Sequence, residues 1–121
     1  MNTTRTASPA AERARVVFVT GPDLATMRDI ARALVEERLI ACANLLGEAT
    51  SVYRWEGSVD EETECLAILK TTAGRLPALE ARVAELHPYD IPEFLVLPVE
   101  QGSESYLGWV RESVGLDAGP G

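Results

Sequence analysis

Few side chains here can do soft-metal or nucleophilic chemistry: one histidine, His87, and two cysteines, Cys42 and Cys65. Thiolate sulfur and imidazole nitrogen suit copper and other soft-to-borderline divalent ions. Cys42 reads either as a soft metal ligand or as a small buried hydrophobe, since free cysteine is among the most buried residue types. Cys65 reads as packing. His87 precedes Pro88, and a helix must stop before a proline. The helix dipole there favours the imidazolium, which opposes metal binding, because a ligating ring is neutral and held through its second nitrogen. His87 and Glu93 bracket Pro88-Tyr89-Asp90-Ile91-Pro92, so they either face one cleft or serve as a helix C-cap and a surface acid.

No catalytic constellation accompanies them. The sequence lacks Gly-x-Ser-x-Gly, His-Glu-x-x-His, Cys-x-x-Cys and any glycine-rich phosphate loop, so it reads as a non-enzyme with no organic cofactor. Asp60-Glu61-Glu62 reads as a solvated charged turn beside a hairpin. Tyr53, Trp55, Tyr89, Tyr106 and Trp109 are polar-tipped aromatics, suited to an interface that buries the ring and partners the tip. Glu64 and Lys70 fall on one strand face about 20 Å apart, so each needs a partner elsewhere, as in a polar cluster at a subunit boundary.

Charge narrows the partners. Eleven Lys plus Arg against nineteen Asp plus Glu give a formal net charge of −8, a field that repels nucleic acid and anionic membrane surfaces. No apolar run approaches the roughly 20 residues that cross a bilayer. The opening residues carry no apolar h-region, so a cytoplasmic location with both thiols reduced is expected.

Around these residues the chain is patterned as one domain of residues 15–114, between a mobile tail at 1–14 and a glycine-rich tail at 115–121. Arg15-Val16-Val17-Phe18-Val19-Thr20 reads as a buried strand stopped by Gly21-Pro22. Asp23 then caps a helix bearing Met27, Ile30, Ala31 and Leu34 at helical spacing. Residues 40–55 read as a long strand kinked at Gly47, and Glu56-Gly57-Ser58 turns it into a third strand over 62–72. Leu76, Leu79, Val83 and Leu86 space a second helix ending at His87, Phe94-Leu95-Val96-Leu97 forms a fourth strand, and Ser103 caps a last helix. The order βαββαβ plus a terminal helix predicts an α+β, ferredoxin-like split βαβ unit, with helices on one face of an antiparallel sheet. The other face, with Leu66 and Ile68, needs apolar cover, which a cyclic assembly of the same chain supplies.

Several segments together resemble the CutA family in order and spacing. They are Glu37-Arg38-Leu39-Ile40-Ala41-Cys42-Ala43-Asn44, Ser51-Val52-Tyr53-Arg54-Trp55-Glu56-Gly57, Lys70-Thr71, His87-Pro88-Tyr89-Asp90-Ile91-Pro92-Glu93 and Tyr106-Leu107-Gly108-Trp109. The resemblance implies a homotrimer of PII-like architecture, with a role in divalent-cation tolerance and copper as the metal most often proposed. It places a cysteine at position 42 and marks the 87–93 segment, giving Cys42, His87 and Glu93 as candidate ligands, singly or across subunits. Where Gly47 stands, family members often have proline. Two other readings stay open: a cleft between subunits that takes a small anionic metabolite near Lys70 and the Tyr-Trp cluster, and a trimeric scaffold that anchors partner proteins through its tails.

Overall fold

A computed structural model describes residues 10–115. Four strands, β1 (Ala14–Gly21), β2 (Cys42–Trp55), β3 (Ser58–Thr72) and β4 (Leu95–Pro98), form one sheet in the order β2-β3-β1-β4. All neighbouring pairs are antiparallel. Helix α1 (Leu24–Glu36) connects β1 to β2, α2 (Leu76–Leu86) connects β3 to β4, and α3 (Glu104–Val114) closes the domain. This is the split βαβ arrangement that the element order predicted.

Period-two alternation sorts the sheet into two faces. Val17, Val19, Cys65, Ala67 and Leu69 are fully buried against Met27, Ile30 and Leu34 of α1 and Leu79 and Val83 of α2. On the opposite face, Val16 lies across from Leu97 and Phe18 from Leu95, with Phe18 also beside Ile68. Cys42 is on this second face, and its sulfur lies 3.5 Å from the Tyr106 hydroxyl. Helix α3 therefore covers one end of the open face, where a single helical layer had been expected.

Local chemistry sets the boundaries. Asp23 accepts the Thr26 N–H at 2.8 Å and starts α1. The helix ends in a Schellman arrangement, with Arg38 N–H bonded to the Val35 carbonyl and Leu39 N–H to the Leu34 carbonyl, both at 3.0 Å. The left-handed position usually given to glycine is held by Arg38 at φ 60°. Its guanidinium donates to the Ser113 carbonyl at 3.1 Å, joining the exit of α1 to α3.

Three details differ from the sequence reading. Glu56 and Gly57 alone make the hairpin turn, both at positive φ as a primed two-residue turn requires, so β3 starts at Ser58, not at residue 62. The kink in β2 is a bulge between Leu46 and Ala49 whose left-handed residue is Glu48, beside Gly47. The N-terminal segment is ordered from Ala10: a 3-10 turn over Ala10–Glu12 packs on a second one over Ala73–Arg75, and Ala73 N–H bonds the Arg13 carbonyl at 2.9 Å. A small residue at Gly74 permits that packing, because a Cβ there would lie 3.0 Å from the Ala11 Cβ. The expected tails at 1–9 and 116–121 lie outside the described residues.

Candidate functional site

The distal half of the β2–β3 hairpin and the connection that follows α2 enclose a cleft of about 900 Å³. Ser51 pairs with Glu62 and Tyr53 with Asp60, so the period of two puts these four and Glu64 on one face of the hairpin. Tyr89, Asp90 and Glu93 approach from the connection. Asp60, Glu62, Glu64, Asp90 and Glu93 bring five carboxyl groups to the lining, which contains no Lys, Arg or His. Trp55 borders the cleft at the exposed end of the hairpin.

His87 shapes this cleft without lining it. The ring is buried, its Nε2 lies 2.8 Å from the Thr20 carbonyl, and its Nδ1 accepts the Tyr89 N–H at 3.1 Å. A ring whose Nδ1 accepts carries its proton on Nε2, which donates to Thr20; the bonding is that of a neutral imidazole with neither nitrogen free for a metal. The ring packs 4.7 Å from that of Tyr89, whose hydroxyl donates to Glu64 Oε2 at 2.7 Å.

Charge crowding marks the cleft. The Tyr89 phenol is pushed well up from its ordinary value, first by burial and then by its bond to Glu64. The Tyr53 phenol is raised by burial and then by Glu62. Glu93 is raised as well, by burial first and then by the negative charge of Glu64. Burial and the neighbouring Glu64 charge thus both act against the ionised form of Glu93.

A second cluster sits at the other end of β3. Cys42 and Lys70 are directly opposed across the ladder, with Lys70 Nζ 3.9 Å from Cys42 Sγ. Lys70 also donates to Asn44 Oδ1. The Tyr106 phenol is raised, mainly by its hydrogen bond to Cys42, and its ring lies 5.5 Å from that of Trp109. Cys65 faces the helices, so the two thiols are on opposite sides of the sheet and both are free.

The structure therefore gathers Tyr53, Trp55, Glu64, Tyr89 and Glu93, with His87 behind them, and sets Cys42, Lys70, Tyr106 and Trp109 apart. Six residues of extended strand, about 20 Å, separate Lys70 from Glu64. Within one chain, Cys42 does not join His87 and Glu93. Among the described residues no three His, Cys, Asp or Glu side chains converge closely enough to hold a metal ion. Sequence reasoning passed over Asp60 and Glu62, read as a solvated turn. Their alternation with Glu64 was the available signal, since on a strand it puts all three on one face.

Comparison with known proteins agrees with this fold. Residues 15–113 match the model of the family described as CutA1 divalent ion tolerance protein. The divalent-cation tolerance protein CutA of Thermus thermophilus is 49% identical over 100 residues, covering 83% of this chain and 97% of the relative. Human protein CutA is 47% identical over 95 residues, 78% of this chain but only 53% of the human protein. The solved Thermus thermophilus structure superposes with a TM-score of 0.82 at 48% identity, covering 84% of this chain and 99% of that one. The CutA structure from Xylella fastidiosa gives 0.82 at 37% identity, over 84% and 98% of the respective chains. With the family match spanning nearly all the described residues and the same fold at high identity, this chain belongs to the CutA1 divalent ion tolerance family.

Proposed function

We propose that the protein responds to divalent cations by binding them weakly in its acidic cleft, at oxygen donors led by Glu64 and Glu93, within a trimer whose neighbouring copy completes the ligand set. The observation that carries this reading is the raised Glu93 carboxyl, held up by burial and by Glu64 in a cleft whose lining has no basic side chain. Carboxylate and phenol oxygens suit hard and borderline divalent ions, and copper(II) belongs in the test panel beside manganese(II). The site does not catalyse; occupancy is the signal.

Self-association is supported by what one chain leaves bare. Leu46, Leu95 and Leu97 on the open face are 49%, 57% and 41% exposed, and Val52 and Val59 on the hairpin are 63% and 64% exposed. Apolar surface of this kind marks an interface, and cyclic symmetry closes it. Among the described residues no helix is long and apolar enough to cross a membrane, and cytoplasmic residence is part of the proposal. An anionic metabolite is disfavoured, because Lys70 does not line the cleft.

Isothermal titration with copper(II) and manganese(II) tests the site. Binding is expected in the native protein and in Cys42→Ser, and is lost in Glu64→Gln plus Glu93→Gln. Equal binding by the native and double-carboxylate variants would remove the cleft from consideration.

A further inference from the structure

We propose that Cys42 and Lys70 form a reversible covalent S–O–N bridge across the β2–β3 ladder when the protein meets dioxygen. Three observations converge on this pair. Lys70 is the only lysine in the chain, every other basic residue being arginine apart from His87. It stands directly opposite Cys42 in the β2–β3 register, so both side chains leave the same face at the same level. Its amine nitrogen lies 3.9 Å from the sulfur.

The chemistry requires an amine. A guanidinium stays protonated and cannot act as a nucleophile, whereas a lysine ammonium can release its proton and bond through nitrogen. An intrachain disulfide is closed to Cys42, because Cys65 projects from the other side of the sheet. Asn44 and Tyr106 hold the pair in place: Lys70 donates to Asn44 Oδ1, and the Tyr106 hydroxyl lies 3.5 Å from the sulfur. An ammonium has three donors, so the Asn44 bond and the approach to sulfur coexist.

In the balanced step, one thiol, one ammonium and one dioxygen give the S–O–N link, one water and one proton. The S–H bond, two N–H bonds and the O=O bond break, and S–O, O–N and two O–H bonds form. Sulfur and nitrogen each lose two electrons, and dioxygen takes all four. Two equivalents of a dithiol reductant supply the four electrons that cleave the bridge, returning thiol, amine and water and leaving two oxidised dithiols. Formation removes the positive charge of Lys70 and ties β2 to β3 at the root of the hairpin whose far half forms the acidic cleft.

A single side-chain amine makes the test direct. The full chain is incubated in air-saturated and in oxygen-free buffer, then its intact mass is measured and free thiols and amines are labelled. In air, the expected species gains one oxygen and loses two hydrogens, and label disappears from Cys42 and Lys70 together. Dithiothreitol restores both, and a proteolytic map joins the two peptides. Cys42→Ser and Lys70→Arg do not form the species. Oxygen adducts on Cys42 with Lys70 still fully labelled, or a mass unchanged by air, would overturn the proposal from the native protein alone, whether or not either variant folds.

Discussion

The Tyr89 hydroxyl donates to the buried Glu64 carboxylate at 2.7 Å, joining the connection after α2 to the middle of β3. Both residues line the acidic cleft, and the bond satisfies one oxygen of the carboxylate of a residue that is only 9% exposed. Tyr89→Phe leaves that oxygen without its donor and should destabilise the protein by about 1–3 kcal/mol. Urea denaturation checks it, and Glu64→Gln in the same background should recover part of the loss, since a neutral amide is less costly to bury.

Glu93 gives the cleft a pH signature. Its folded carboxyl titrates above its ordinary value, so between the unfolded and the folded value the native state binds more protons than the unfolded one. Stability therefore falls as pH rises through that window, and the penalty persists at neutral pH. Glu93→Gln should be more stable than the native protein at pH 7, with the difference vanishing below the carboxylate range. Thermal melts at both ends of the range decide it, and a variant less stable at neutral pH would contradict the assignment.

Thr71 is fully buried and donates its hydroxyl to the Leu39 carbonyl at 2.7 Å, fixing the chain as it leaves α1 for β2. Thr71→Val keeps the shape but orphans that carbonyl, with an expected loss of about 1–3 kcal/mol. Thr71→Ser retains the donor and should lose less. Chemical denaturation of the two variants separates the hydroxyl from the methyl.

Gly57 closes the hairpin turn at φ 87° with open space around it. A side chain there meets no neighbour, so any effect is backbone strain alone. Gly57→Ala should destabilise by about 1–2 kcal/mol. Hydrogen exchange should show the loss concentrated in the distal hairpin, where amide protection falls first.

The proposed assembly places Leu97 at a subunit boundary. Leu97→Glu introduces a charge onto the open face and should lower the light-scattering mass, while circular dichroism keeps its native form. For the native protein the melting temperature should fall on roughly hundredfold dilution, because dissociation is linked to unfolding. A native mass equal to one chain would contradict the trimer.

Much of the fold was readable from local patterns. The α1 stripe, the Asp23 and Ser103 caps and the stop at His87 each depend on residues within one or two turns of one another. The 10–14 segment was less legible, because its order comes from Ala11 meeting Gly74 and from Arg13 accepting the Ala73 N–H, contacts across the fold. The candidate site divided in the same way. Tyr89 and Glu93 were marked by their Pro-bounded segment, whereas Asp60 joined β3 only once the two-residue turn extended the strand back to Ser58, and Glu62 lay in the expected strand but within a run read as solvated.

The sequence by itself determined the order of the elements, the caps and turns that bound them, and the family pattern, because helix and strand periodicity are written in neighbouring residues. Tertiary structure alone decided which functional side chains meet. Strand register set Cys42 against Lys70, the bond from Tyr89 brought the connection onto Glu64, and the Thr20 carbonyl from β1 took the His87 Nε2 while the Tyr89 N–H took its Nδ1. Side chains far apart in sequence come together only through long-range pairing, and no local spacing encodes that register.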